Sequence, residues 1–467
     1  MRDRLKILTV NHTDDVGGAA IVARNCFLYY DALGHDSRFL VQDKLSSHEK
    51  VIPIGNEKHW NYWRKGVTSL QKKILNLWGA KKGIWRLVRL MDWLADFPGK
   101  VRCEIGLEEF NFPGTVYFFK HNSFKPDIVH LHLPRAGFFD LRYLPELSEK
   151  TPVFFTLHGA WLLAGHCVHS FNCDRWKTGC GKCPDLSIPS PIKRDSSSLN
   201  WKRKNRIYSN SKIYVGTPCN WLMDKVKHSM LAQATIETRV IPHGVDQSIF
   251  FPGDRSHSRS VLGLEQESFI YLFSANGIKR NRWKDFAMMK KALTLVSEQQ
   301  RKRKIIFLAL GDSDEPIMMG NTEIRFMPYR SEPKSVADFY RASDVYLHAS
   351  KADTFPNAVL EALSCGVPVI GTAVGGIPEQ IRGWEGIGFL TKTHNRYDHS
   401  SATGVLVEAG EAISFSKAMT VLMDSNQLRN QLGQNAAKDA KERFPLQKQT
   451  DAYLDWYREI LTKNNYE

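Results

Sequence analysis

Two acids carry the sharpest chemical signal in the chain. Asp353 and Glu361 stand with seven residues between them in SKADTFPNAVLEALSCGVPVIGTAVGGIPE, residues 350–379. The preceding run DVYLHAS reads as a buried strand, and Pro356 and Asn357 open a helix, so Asp353 falls in the joining loop and Glu361 inside the helix. Backbone amides at Asn357, Ala358 and Val359 would then form a positive pole suited to a diphosphate. A carboxylate further along the same helix could hold the hydroxyls of a ribose. Two isolated acids at this spacing also suit a surface pair on an ordinary helix, and it is the surrounding strand, loop and glycine-rich continuation that favours the chemical reading.

Four further groups have the right residue types for chemistry. The loop FSANGIKRNRWKDF gathers Lys279, Arg280, Arg282 and Lys284 behind an apolar strand, either as a solvated basic turn or as fixed cations facing an anion. His158 closes VFFTLH, where a neutral imidazole could bond a hydroxyl or serve only in packing. Gly17 and Gly18 lie between KILTVNH and a helical stretch, as a tight turn or a place where backbone approaches a phosphate or acceptor. Cys167, Cys173, Cys180 and Cys183 are separated by five, six and two residues. Three readings stand for them: a structural zinc site of four thiolates, with His166 and His169 as alternative ligands; a regulated or incidental disulfide; or packed free thiols. Four protein ligands would leave a zinc ion no open position for catalysis.

These residues need a scaffold, and its pattern is visible. KILTV, DIVHLHL, VFFTLH and KIYVG recur through the first half; after VIPHGVDQSIFFPGDRSHSR the pattern restarts with FIYLFSAN, KIIFLALGD, IRFM, DVYLHAS and PVIGTA. Continuous apolar runs alternating with helical stretches predict an α/β chain of two Rossmann-like, doubly wound lobes, with a boundary near Phe250 to Arg259. We expect a first domain over 1–250, a second over 251–445 and a C-terminal helix over 446–467. With 467 residues, 42% hydrophobic and 24% charged, disordered and collagen-like classes are excluded. The net charge of +15 favours an anionic partner: nucleic acid, a membrane surface or a phosphorylated substrate. The N-terminal residues lack a signal-peptide pattern and no apolar run spans a bilayer, so a cytoplasmic protein is expected.

One segment stands apart. Within the basic aromatic stretch 58–94, residues 58–90 hold nine Lys or Arg and no acid, together with Trp60, Trp63, Trp78 and Trp85. Ile84, Leu87, Val88 and Met91 recur at helical spacing. This suits either a helix lying on an anionic membrane or one packed on its own domain with a solvated basic face. No nucleic-acid-binding module accompanies it.

The acid pair resembles the acid, seven residues, acid signature of glycosyltransferase family 4, retaining enzymes of the GT-B fold. The resemblance extends through CGVPVIGTAVGGIPE, IPHGVDQSIFFP and GGAAIVARN. It implies two lobes facing a central cleft, a UDP- or GDP-sugar donor in the second lobe, a saccharide acceptor over the first, and no required catalytic metal. It implies Glu361 on the donor ribose and Asp353 near the transferred sugar, where the family pattern is departed from by an Asp one methylene shorter. Lys284, with Arg282 or else Arg280, would neutralise the departing diphosphate; His158 would lie near the transfer centre; Gly17, Gly18 and the amides at 357–359 would approach the donor. Gly159 stands where relatives with a cysteine-rich extension carry Asp, an acid that is absent or supplied by Asp14 or Asp15. His243 replaces a frequent Asn, and the last helix should cross back onto the first lobe. The cysteine-rich insert, 165–185, is similar to that of bacterial exopolysaccharide, capsule and colanic-acid members. It implies a role in surface polysaccharide or lipopolysaccharide biosynthesis, with a lipid-linked acceptor; the basic aromatic segment could hold such an enzyme to the inner face of the membrane, and without a nucleic-acid module no specific nucleic acid is expected. Two rivals remain: a sugar-nucleotide epimerase of the same fold, and a non-catalytic basic protein binding membrane or nucleic acid.

Overall fold

Short apolar runs buried on both faces are what the centre of a parallel sheet requires, and the first half of the chain supplies seven strands. They are β1 (Lys6–Thr13), β2 (Asp36–Asp43), β3 (Val51–Pro53), β4 (Ile128–Leu131), β5 (Val153–Thr156), β6 (Ile213–Thr217) and β7 (Thr235–Val240), of which β4, β5 and β6 are buried throughout. All pair in parallel in the order β3-β2-β1-β4-β5-β6-β7. The structure, a computed structural model, describes residues 4–79, 81–132, 137–299, 302–386 and 395–463. A second sheet is built from β8 (Phe269–Ser274), β9 (Ile305–Leu310), β10 (Ile317–Met319), β11 (Thr322–Met327), β12 (Val345–His348), β13 (Val369–Thr372) and β14 (Gly404–Val407). Its order is β10-β11-β9-β8-β12-β13-β14, parallel except for the antiparallel edge strand β10. Strand order reverses beside β1 and β4 in the first sheet and beside β8 and β12 in the second. At such a switch point two neighbouring strand ends send their loops apart and open a crevice.

Contacts divide the chain into two compact units. One comprises residues up to Thr217, Leu222–Val240 and the chain from Leu454; the other comprises Pro218–Trp221 and Ile241–Tyr453. The division falls at Val240/Ile241, at the start of the punctuated stretch and ahead of the boundary expected near Phe250 to Arg259.

Helices cover the sheets. In the first unit α1 (Gly18–Ala32) follows β1, and α2 (Tyr62–Trp78) and α3 (Lys82–Ala95) form a hairpin in the basic aromatic stretch. The hairpin is closed by Trp63 Nε1 donating to the Leu94 carbonyl at 2.8 Å, Gln71 Nε2 to Asp92 at 2.8 Å and an Arg64–Asp96 ion pair at 2.8 Å. No residue of α2 is buried. On α3 the expected stripe splits: Val88 and Met91 turn inward, whereas Leu87 is exposed. Among the described residues no helix is long and apolar enough to cross a membrane.

In the second unit α4 (Pro333–Ala342) precedes β12, and α5 (Asn357–Ser364) follows it. The last helix, α6 (Leu446–Lys463), begins in the second unit and from Leu454 packs within the first. There Trp456 and Tyr457 are fully buried edge-on against Phe154, and Tyr457 OH meets His130 Nδ1 at 2.5 Å. Emptying the Trp456 site leaves a large cavity, so Trp456→Ala is expected to cost about 3–5 kcal/mol. Urea denaturation followed by circular dichroism measures it.

Candidate functional site

The second unit's switch point assembles its side chains by backbone pairing. After β8 the chain turns back along the residues that follow β12: Asp285 N–H donates to the Ala349 carbonyl at 3.0 Å and Lys351 N–H to the Trp283 carbonyl at 2.8 Å, with Lys284 bridged to Ser350. Lys284 therefore projects beside the acid loop. Its Nζ lies 2.6 Å from Asp353 Oδ2, 3.1 Å from Ser350 Oγ and 3.0 Å from His348 Nε2. The glycine-rich continuation supports this loop from below: Gly375 has φ +58°, and a Cβ there would stand 1.7 Å from the Asp353 carbonyl oxygen. Only glycine fits.

The two motif acids have opposite environments. Burial acts to raise the Asp353 carboxyl, but Lys284 and His348 overcome it and hold the group far below the usual carboxylate range. His348 is itself lowered to about 4 by burial and by the Lys284 charge, so it is a neutral imidazole at pH 7. Glu361 is pushed up to about 7 by burial, offset in part by a 2.9 Å hydrogen bond from Tyr340 OH. Among the described residues no cation pairs with it. At the start of α5 the Val359 amide donates to the Pro356 carbonyl at 3.2 Å, so the expected row of three outward amides is reduced at that position. His243, lowered to about 4 by burial, hydrogen-bonds the Asn357 side chain and the Phe355 backbone and so ties the domain-link segment to the helix start.

Other expected residues are placed differently. Arg280 and Arg282 are exposed, Arg282 lying over the Trp283 ring with its guanidinium 5.6 Å from the centroid. Lys279 pairs with Asp314. In the first unit Gly17 takes φ +96° ahead of Gly18, the first residue of α1, with open space above it. His158 Nε2 lies 3.2 Å from His132 Nδ1 just beyond the ends of β5 and β4. A Cβ on Gly159 would meet the Val168 carbonyl oxygen at 2.9 Å, because the cysteine-rich insert folds back over it. A side chain there would require the insert to shift, and the two acids offered in its place already have partners. Asp14 accepts from the Leu45 and Ser46 amides at 2.7 and 3.0 Å, and Asp15 pairs with Arg24.

Cys167, Cys173, Cys180 and Cys183 are free thiols that line, with His166 and Trp176, one narrow cavity of about 20 Å³. His166 Nε2 stands 3.2 Å from Cys183 Sγ. Burial pushes Cys167 up to about 12 and Cys180 to about 11. Among the described residues no three or more His, Cys, Asp or Glu side chains form a set that could hold a metal ion. The four cysteines expected from spacing as zinc ligands are thus gathered around one cavity as free thiols; His169 stacks edge-on with Phe171.

His348, Ser350, Tyr346, Tyr340 and Ser274 join the site without having been singled out from sequence. The available signal was polar residues inside the apolar run DVYLHAS, where period two puts Tyr346 and His348 on one face.

With this geometry in place, similarity to known proteins has a structural meaning. Residues 254–439, wholly within the second unit, match the family model described as glycosyl transferases group 1. The chain is 28% identical over 194 residues to D-inositol 3-phosphate glycosyltransferase 1 of Catenulispora acidiphila, covering 39% of this chain and 42% of that one. It is 23% identical over 267 residues to the putative colanic acid biosynthesis glycosyl transferase WcaC of Escherichia coli K12, covering 53% and 60%. The chain spans about half the length of the curated relatives it matches. The crystal structure of Anabaena HepE in complex with UDP-glucose superposes with a TM-score of 0.57 at 14% identity, covering 98% of this chain and all of that one. The two Rossmann-like units and this likeness define the fold class as GT-B.

The Lys284–Asp353 pair makes a stability prediction. A carboxyl lowered in the folded state adds stability above its unfolded pKa, near 4, and loses it as pH falls through the lower folded value. Asp353→Asn leaves Lys284 without its counter-ion and is expected to cost about 3 kcal/mol at pH 7. It should also flatten the acid limb of a plot of Tm against pH, measured by calorimetry.

Proposed function

We propose that this protein transfers a sugar from a nucleoside-diphosphate donor to a saccharide acceptor with retention at the anomeric carbon. The observation that carries the reading is Lys284 held against Asp353 at the β8/β12 switch point, with Glu361 on the helix that follows. In the reaction the bond from the anomeric carbon to the diphosphate oxygen breaks and a bond to the acceptor oxygen forms on the same face. The acceptor proton passes to the departing diphosphate. Lys284, with Arg282 or Arg280, stabilises the charge that develops there, and the Asn357 and Ala358 amides at the positive end of α5 face the phosphates. Asp353 accepts from hydroxyls of the transferred sugar and Glu361 from the ribose, while His158 in the first unit bonds a sugar or acceptor hydroxyl, with Gly17 and Gly18 allowing close backbone approach. Positioning and electrostatics supply the rate. The matches to WcaC and to the UDP-glucose complex of HepE support a UDP-sugar donor and a role in bacterial surface polysaccharide synthesis.

The acceptor in this reading is lipid-linked, and the α2–α3 hairpin holds the enzyme to the inner face of the membrane. Leu77, Trp78, Trp85 and Leu90 are 79%, 66%, 54% and 56% exposed on a hairpin rich in Lys and Arg. Exposed apolar side chains with indoles at headgroup level and cations around them fit an anionic bilayer surface.

Two experiments test this. Thermal stabilisation by UDP and GDP reads occupancy of the donor site by mass action. Glu361→Ala, which removes a charged hydrogen-bond acceptor, is expected to weaken nucleotide binding about 10- to 100-fold and to lose most transfer; unchanged affinity and turnover would sink the ribose assignment. For the hairpin, the protein should sediment with phosphatidylglycerol vesicles and not with pure phosphatidylcholine, with binding falling as salt rises. The double variant Leu77→Asp/Trp85→Asp should lose the sedimentation and keep its Tm.

A further inference from the structure

The donor-site reading leaves unused a set of buried polar groups between the two acids. Lys284 Nζ lies 3.0 Å from His348 Nε2, His348 Nδ1 lies 3.2 Å from Tyr346 OH, and Tyr346 OH lies 3.1 Å from Ser274 Oγ. Ser274 Oγ lies 3.4 Å from Tyr340 OH, and Tyr340 OH donates to Glu361 Oε2 at 2.9 Å. His348, Tyr346 and Tyr340 are fully buried and Ser274 is half-buried.

The proton positions follow from the two ends. Lys284 can only donate, and an ionised Glu361 can only accept. Tyr340 therefore donates to Glu361 and accepts from Ser274, Ser274 accepts from Tyr346, and Tyr346 accepts from a His348 that carries its proton on Nδ1. His348 Nε2 is then the bare acceptor that Lys284 fills. Every bond runs the same way, from cation to carboxylate, an arrangement in which successive hydrogen bonds polarise one another. The alternative tautomer has Nε2–H, which faces Asp353 Oδ2 at 3.3 Å, and then Tyr346 must turn its hydroxyl towards Nδ1. That tautomer is favoured once Lys284 turns from His348 to a diphosphate.

We propose that the chain Lys284–His348–Tyr346–Ser274–Tyr340–Glu361 couples the diphosphate end of the donor site to its ribose end, with His348 as the positioning residue whose tautomer follows Lys284. The inference rests on the donor-site reading and deepens it. The titratable groups around Glu361 are Tyr340 on α4, Tyr346 on β12 and Cys365 just beyond its own helix; those around His348 are Lys284, Asp353 and Tyr346.

Burial pushes the Glu361 carboxyl up to about 7. Its ionised form is the better acceptor for ribose hydroxyls, so nucleotide binding should strengthen as pH rises through neutrality. Isothermal titration with UDP and with GDP, over roughly two pH units either side of 7, locates the midpoint. Tyr346→Phe cuts the chain in the middle, at a hydroxyl bonded to His348 and Ser274 and to neither end; it should move the midpoint upward by about half a unit, which is about threefold weaker binding in acid. Tyr271→Phe is the control, since that buried hydroxyl donates to the Met419 carbonyl at 2.8 Å outside the chain and should leave the midpoint in place. Lys284→Gln at the far end should shift the midpoint in the wild-type background and not in the Tyr346→Phe background, a non-additivity that a purely structural hydroxyl would not produce. If Tyr346→Phe fails to fold, Ser274→Ala cuts the next link. Additive shifts, or a midpoint indifferent to both cuts, overturn the coupling alone. Failure of the wild-type protein to bind either nucleotide overturns the donor-site reading and the coupling with it.

Discussion

Taking a lysine and a carboxylate out of water is expensive, and the attraction between them repays the loss only when geometry and surrounding hydrogen bonds are good. Lys284 and Asp353 meet that condition through the parallel order of the second sheet. Because β8 and β12 are neighbours, the loop after one can zip onto the residues after the other, and the ammonium arrives 2.6 Å from the carboxylate with Ser350 and His348 as further partners. Gly375 then fixes the height of the acid loop, since its missing side chain is the space that the Asp353 carbonyl fills. Strand order, the loop pairing and the glycine serve one requirement, that two opposite charges be buried together.

The portion of this that sequence discloses is the local portion. Asp353, Asn357 and Glu361 share one strand-loop-helix unit, so their spacing alone places them. Lys284 lies 69 positions before Asp353, and only the pairing of β8 with β12 brings them together. Tyr346 and His348 are harder to read because β12 is buried on both faces, which erases the alternation that would show which way a polar side chain points. The thiols show a related limit: spacing gathers the cysteines around one cavity but does not state whether their surroundings favour thiolate or thiol. Gly159 was visible as a departure from a family pattern, yet its cause, the Val168 carbonyl above it, lies in the insert's three-dimensional path.

The first unit repeats the design with different side chains. Its reversal of strand order beside β1 and β4 places Gly17 after one strand and His132 after the other, and His132 in turn bonds His158 from the next strand along. Beneath them His130 is lowered to about 3 by burial and is held between Tyr457 OH and Thr156 Oγ1, the latter at 2.7 Å. A neutral imidazole with both nitrogens engaged is a rigid part, and the residue engaging it comes from the last helix. The C-terminal segment from Leu454 is therefore as much a part of this unit's histidine layer as the strands that carry it.

The contrast between the two motif acids has a consequence of its own. Asp353 is ionised at any physiological pH because a cation stands against it, and no modest change in solution conditions alters its charge. Glu361 has no cation beside it among the described residues, and burial pushing it up to about 7 makes it the responsive member. A group in that state has its charge set by whatever enters the site: a ligand that donates two hydroxyls to it favours the anion, and the same ligand binds less well wherever the anion is disfavoured. The arrangement present pairs an invariant charge with an adjustable one on a single strand, loop and helix.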